Sequence, residues 1–371
     1  MNPTLTLGRV AGIRIGINWS WLIVFALIVW TLGASVFPAQ DPHLSTGTYA
    51  AMAFVAAFLF FSSLLLHELG HALQARREGV EIEGITLWLF GGVASFKGMF
   101  PSAGAELRIA LAGPAVSVAL GGIFIGIAAA LHRPVAVDGV AAWLGYINLL
   151  LLAFNMLPAL PLDGGRVFRA LLWRSKRDFA GATRIAAGVS RGFAYAMISL
   201  GLLALVFGGS WSGAWLAFLG WFLLQASGME ARSVMLRDAL GGLRVRDLMV
   251  RTPVVVTAES TLAEFMDDVA STHRFTTYPV LEDGRVIGLL PFGRVARVPR
   301  GVWEQTQVRD CMLTRASVPV VREEADLLDA LDQMNAGGIN RALVMDDGRL
   351  EGILSITDVV RLVSWKTAGH R

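Results

Sequence analysis

From Leu44 to Leu66 the chain runs for 23 residues without a charge, and His67-Glu68-Leu69-Gly70-His71 follows at once. A run of that length suffices for a helix that crosses a bilayer, so the polar cluster stands at the end of a membrane segment. Histidines four positions apart lie on one face of a helix and can share a cation, and a glutamate beside the first can reach a water bound there. Without that use, the pattern would take three polar groups into an apolar environment with nothing to offset the cost. The sequence thus points to an HExxH metal site built into a membrane helix.

The surrounding composition agrees. Hydrophobic residues make up 54% of the chain and charged ones 16%, too apolar a balance for an ordinary globular protein, so a polytopic α-helical membrane domain is expected. Its six spans fall at about 15–37, 48–75, 109–131, 140–160, 187–207 and 213–229, the last two as a helical hairpin broken around Gly208-Gly209-Ser210. The first is too long for a signal-peptide core and is expected to stay as an anchor. Residues 4–15 read as a strand or re-entrant stretch. Arg9, Arg14, Arg76, Arg77, Lys97 and Arg108 fall on one side of this arrangement, whereas the turn from Pro38 to Ser45 holds no Lys or Arg. The positive-inside rule then places both termini in the cytoplasm, with His67 and His71 near the cytoplasmic end of the second span.

Two further stretches depart from plain helix. Val80 to Gly98 is rich in β-branched and aromatic residues around Gly91-Gly92, the signal of a β-hairpin, either an ordinary loop or a strand edge that pairs with an extended substrate. Asn155 to Gly165 carries Pro158, Pro161 and a Gly pair, and broken backbone at membrane depth is tolerated where it lines an enclosed site. Asp163 lies here, at the same end of the membrane as the histidines by the parity of the spans. A catalytic zinc takes three protein ligands and leaves one position open, which His67, His71 and Asp163 would fill. The competing role for Asp163 is a surface pair with Arg166 or Arg169.

Beyond Glu230 the composition turns polar and an internal repeat appears, with residues 231–244 reading as a linker. Val245-Arg246-Asp247-Leu248-Met249 recurs as Val308-Arg309-Asp310-Cys311-Met312, and Asp283-Gly284-Arg285 recurs as Asp347-Gly348-Arg349. The repeats occupy about 245–303 and 308–365, each reading as strand, helix, strand, Asp-Gly turn, strand and helix around a shared α/β core. Cys311 is the single cysteine, so no internal disulfide is possible, and it reads as a small buried apolar residue. A net charge of +3 without a basic stripe gives no sign of nucleic acid. Lys97, Lys176 and Lys366 are the only lysines among 32 basic residues, which points to a GC-rich genome.

With HELGH at His67–His71 and NMLPALPLDGGR at Asn155–Arg166, the membrane half resembles the site-2 protease family of intramembrane zinc metalloproteases, of the kind that ends in a CBS pair. The repeat is similar to paired CBS motifs. The resemblance implies that His67, His71 and Asp163 bind one zinc, that Glu68 is the general base, and that Asn155 holds the substrate or the developing oxyanion. For Asn155 a helix-capping or packing amide is the competing role. One departure is Ser117, where the family commonly has asparagine after its Gly-Pro step. In CBS pairs that bind ATP, ADP or AMP, a Gly-x-x-Ser/Thr-x-x-Asp stretch contacts the nucleotide, and Gly352 to Asp358 matches it through Ser355, Thr357 and Asp358. The first repeat instead has Pro291 and Arg294 at the corresponding places, and Asp358 could serve only as a helix cap.

The expected activity is zinc-dependent hydrolysis of a peptide bond in or beside the membrane segment of a single-span or membrane-tethered substrate, in the plasma membrane of a bacterium. Nucleotide binding to the CBS pair would modulate it, and the pair could also form a homodimer. The alternatives are a CBS-regulated transporter or channel that uses the buried groups as an ion path, and a zinc-binding membrane protein without proteolysis.

Overall fold

The computed structural model describes residues 4–88, 91–96, 98, 100–130 and 135–368, and the chain divides into two compact units, Met1–Val234 and Met235–Arg371. The first unit opens with strands β1 (Leu5–Val10) and β2 (Ile13–Ile17), which form a hairpin. Helices α1 (Ser20–Gln40) and α2 (Thr46–Arg77) follow, then strands β3 (Ile82–Trp88) and β4 (Gly91–Phe96). Helices α3 (Ala103–Ala130), α4 (Val135–Asn155), α5 (Asp163–Lys176), α6 (Phe179–Gly208) and α7 (Trp211–Leu240) complete it and lead out of it. Among the described residues, α1, α2, α3, α4 and α6 are long and apolar enough to cross a membrane. The uncharged stretch read as a sixth span forms the first part of α7, where Glu230 and Arg232 follow it.

Helix α2 is the centre of this unit. Ser45 caps its start by accepting from the Thr48 backbone N–H, and Arg76 and Arg77 sit in its last turn, where the helix dipole favours a cation. Its buried face is lined by small residues, Ala53, Ala56 and Ala57 among them, which let neighbouring helices come close. Met52, Ala53 and Ala56 pack with Leu32 and Phe37 of α1 and with Val140 and Leu144 of α4. Glycines bring α3 and α4 together in the same way, since a Cβ on Gly145 would stand 2.7 Å from Ile125 Cγ1.

The four strands make one sheet in the order β1-β2-β3-β4, with β2 and β3 parallel and the outer pairs antiparallel. The chain passes through α1 and α2 between β2 and β3, which is what a parallel pair requires. Ile13 of β2 and Ile85 of β3 bury themselves against Ala72 of α2, so the sheet lies on the turn of helix that follows the HExxH residues. The expected hairpin over Val80–Gly98 is present, but Gly91 and Gly92 stand inside β4, opposite Trp88 and Leu87, rather than at the turn. Residues 89 and 90, which join the strands, lie outside the described residues. Strand β4 is an edge of the sheet.

The second unit holds two four-stranded sheets. One has the order β10-β11-β12-β5, from Val320–Val321, Arg341–Asp346, Arg349–Ser355 and Val250–Arg251. The other has the order β6-β7-β8-β9, from Val256–Thr257, Thr277–Glu282, Arg285–Pro291 and Leu313–Thr314. The expected Asp-Gly turns join β7 to β8 and β11 to β12, with positive φ at Asp283, Gly284, Asp347 and Gly348, as a tight hairpin turn of the mirror-image type needs. The first strand of each repeat pairs with the other repeat's sheet: β5 adds to β12 and β9 adds to β8. Val286, Leu289, Leu343, Met345 and Ile353 then form a core shared by both sheets.

The exchange explains two glycines at equivalent places. A Cβ on Gly352 would lie 2.7 Å from the Val250 carbonyl oxygen, and one on Gly288 would overlap the Leu313 carbonyl oxygen. Gly288→Ala is therefore expected to destabilise the C-terminal unit by about 1–3 kcal/mol, whereas Gly293→Ala, which has open space around it, should not. Denaturant unfolding of the two variants beside wild type checks this.

Candidate metal centre

The two histidines of α2 and the first residue of α5 meet at one point. His67 Nε2 and His71 Nε2 are 3.1 Å apart, and each lies 3.2 Å from one carboxylate oxygen of Asp163. All three residues are buried. The oxygens differ, Oδ2 for His67 and Oδ1 for His71, so the carboxylate spans the nitrogen pair. The 3.1 Å between the two nitrogens is close to the ~3.3 Å separation expected of donors about 2.0–2.1 Å from a tetrahedral ion.

The outer nitrogens of both rings are engaged elsewhere. His71 Nδ1 donates to the Ile109 carbonyl oxygen at 2.7 Å, which leaves its Nε2 lone pair for the centre. His67 Nδ1 bonds Ser117 Oγ at 2.9 Å. Both partners are on α3, so this helix sets the orientation of both rings. The serine that stands in place of the family's asparagine thus does reach the centre through His67. Sequence reasoning missed the Ile109 contact because a backbone carbonyl leaves no mark in residue type.

Space for an ion comes from glycine. Gly113 of α3 faces the two rings, and a Cβ there would lie 2.6 Å from His67 Nε2 and closer still to His71 Nε2. Gly92 of β4 lies over Glu68, where a Cβ would overlap Cγ and stand 3.2 Å from Cδ. This close approach is the physical reason that position 92 of the strand holds a glycine. The donor set, the occupied Nδ1 atoms and the room left by the missing side chain of Gly113 fit a metal ion, and His67, His71 and Asp163 are the cluster of ligand-type side chains found among the described residues.

The broken stretch from Asn155 to Asp163 places the carboxylate. Gly164 and Gly165 begin α5 hard against the preceding loop: a Cβ on Gly164 would lie 2.5 Å from the Leu157 carbonyl oxygen, and one on Gly165 2.6 Å from that of Ala159. Ser190 of α6 holds the loop from the other side by accepting from the Leu160 N–H at 2.7 Å. Arg169 bonds Glu106 and Glu230, so it does not take up the Asp163 carboxylate. Asn155 is the last residue of α4, half-buried, at the start of this loop.

The other predicted residues lie in the C-terminal unit. Ser355, Thr357 and Asp358 line a cavity of about 410 Å³ together with Arg274, Arg341 and Arg361. The cap of the helix that starts at Ile356 is Ser355, whose Oγ accepts from the Thr357 N–H at 3.1 Å, rather than Asp358. In the first repeat Arg294 donates to the Met312 carbonyl oxygen at 3.0 Å, which gives that residue a structural use.

Comparison with known proteins agrees with this arrangement. The model of peptidase family M50 matches residues 55–137 and 132–199, and the CBS domain model matches 245–301 and 308–364. Rip3 of Mycobacterium tuberculosis, which carries a zinc metalloprotease name, is 38% identical over 98% of this chain and 93% of its own. The chain belongs to peptidase family M50. A zinc metalloprotease of Methanocaldococcus jannaschii is 31% identical over 98% of this chain and 97% of its own. The solved site-2 protease from that organism superposes with a TM-score of 0.43 at 29% identity, covering 61% of this chain and 94% of that one. As an M50 peptidase with a CBS pair, the protein is a multi-pass intramembrane zinc metalloprotease.

The two glycines separate binding from catalysis. Gly113→Ala is expected to weaken metal binding by about 10–100-fold by displacing the rings. Gly92→Ala should keep the metal and lower turnover by about 100-fold, because it moves only Glu68. Metal content by elemental analysis, read beside peptide cleavage, checks both.

Proposed function

We propose that His67, His71 and Asp163 hold one zinc and that Glu68 is the general base in hydrolysis of a peptide bond within or beside a substrate's membrane segment. The convergence of two Nε2 atoms and one carboxylate at 3.1–3.2 Å is the observation that carries this reading. When bound, zinc lowers the pKa of water to about 7 and polarises a carbonyl. Glu68 then takes the proton of the attacking water at its carboxylate and passes it to the leaving amine. Asn155, where the loop to Asp163 begins, offers its amide to the substrate or to the developing oxyanion. The bonds from Ser117 and Ile109 keep the rings from turning as the charge around them changes.

A helical substrate hides its carbonyls in its own hydrogen bonds and must unwind before attack. The edge of β4, unpaired among the described residues, supports an answer, since an extended segment paired there would recover part of the lost backbone bonding beside Glu68. Arg76 and Arg77 in the last turn of α2, with Arg9 and Arg14 before α1, support a cytoplasmic side for this end of the site and for both termini, in a bacterial plasma membrane. The substrate is a single-span or tethered protein.

For the C-terminal unit, an adenosine nucleotide in the 410 Å³ cavity fits the residues present. Ser355 and Thr357 offer hydroxyls, Asp358 suits a ribose, and Arg274, Arg341 and Arg361 offer charge to phosphates. The ligand regulates cleavage by favouring one of two states of the protein. Self-association of two CBS pairs is the second role of this unit.

Glu68→Gln is expected to retain zinc and to lose cleavage of single-span substrates by about 10²–10⁴-fold. Purified wild type and variant, assayed in detergent with zinc quantified in both, give the test. Equal cleavage by the two proteins would refute Glu68 as the base.

A further inference from the structure

Besides the metal cluster, the membrane unit buries a second set of charges. Arg169 of α5 is 1% exposed and Glu106 of α3 is 0% exposed. The Arg169 Nε and Nη2 atoms donate to Glu106 Oε1 at 2.7 and 2.5 Å, and Nη1 donates to Glu230 Oε1 of α7 at 3.0 Å. The guanidinium also lies 5.0 Å from the centroid of the Phe179 ring. None of these groups takes part in the chemistry proposed above.

Stability does not account for such a set. Taking charges out of water is costly, and apolar residues of similar volume commonly pack as well or better in their place. What a guanidinium forked between carboxylates supplies is a fixed angle and register, which apolar contacts do not. The elements so fixed are those that build the metal centre. Arg169 stands six residues after Asp163 on the same short helix. Glu106 stands three residues before Ile109, whose carbonyl accepts from His71 Nδ1. Helix α5 has only 14 residues, and Gly164 and Gly165 in its first turn offer backbone to the preceding loop but no side chains.

We propose that the Glu106–Arg169–Glu230 triad is the positioning device of the metal centre, holding α5 against α3 so that Asp163 and His71 meet. This rests on the zinc reading of the centre. Arg169 acts on the metal only through Asp163, and Glu230 acts only through Arg169. Arg166 also interacts with Glu230, so the group holds two guanidiniums and two carboxylates. The glutamine of Glu230→Gln keeps an amide oxygen to accept from Arg169 and leaves the buried Arg169–Glu106 pair intact. Glu230→Gln is therefore a variant that should fold.

The test is zinc affinity of the full chain in detergent, by chelator competition, with thermal unfolding of the metal-free protein measured in parallel. Wild type, His67→Ala, Arg169→Lys and Glu230→Gln are compared. The expected result is one zinc in wild type, none in His67→Ala, and affinity lower by about 10–100-fold in Arg169→Lys and about 10-fold in Glu230→Gln. For Glu230→Gln the metal-free unfolding temperature should stay at the wild-type value. Wild-type zinc affinity in both triad variants, beside loss of zinc in His67→Ala, would overturn the positioning role and leave the zinc reading standing. Affinity that falls only where the metal-free protein has also lost stability would overturn it as well. Wild-type protein that binds no zinc would overturn both.

Discussion

A triangle of three side chains in the membrane unit, two imidazoles whose Nε2 atoms are 3.1 Å apart and a carboxylate whose oxygens each lie 3.2 Å from one of them, is the constraint on which the rest of that unit depends. Groups of this kind are costly away from water, and they hold together because each is fixed from outside the triangle. The rings are held through Nδ1 by α3, and the carboxylate is set by the loop that ends α4. Four separate stretches of chain therefore have to agree to within a fraction of an ångström. In such a site the supporting partners matter nearly as much as the ligands.

Glycine does much of this work by its lack of a side chain. Gly113 leaves room beside the two Nε2 atoms, Gly92 lets an edge strand lie on Glu68, and Gly164 and Gly165 seat Asp163 on its loop. Backbone thereby comes close to the reacting groups with no side chain between, which suits a site that must admit another polypeptide.

The C-terminal unit follows a different logic. Its two repeats exchange their first strands, so neither sheet is complete without the other repeat. Gly288 and Gly352 are the points of crossing. The glycine that opens the nucleotide-type stretch thus has a structural duty before any ligand is considered. The hydroxyl and carboxylate residues after it reach the cavity because the strand ends there.

By itself the sequence determined the chemistry and its setting. A charge-free run ending in His67 to His71 made a membrane metal site the economical reading, and the repeat with its Asp-Gly turns announced a two-part α/β unit. Those features are local, written in residue type and spacing, and helix geometry alone puts His67 and His71 on one face. The meeting of Asp163 with them was legible only as parity of spans. What the tertiary structure decided was everything that depends on atoms distant along the chain. It assigned Gly91 and Gly92 to a strand instead of a turn, and only the position of Glu68 reveals the close approach at Gly92. It gave Ser117 and the Ile109 carbonyl to the histidines, and it gave Arg169 to Glu106 and Glu230 and not to Asp163. A backbone carbonyl, a missing Cβ and a choice among nearby carboxylates leave no periodic signal, and packing alone settles them.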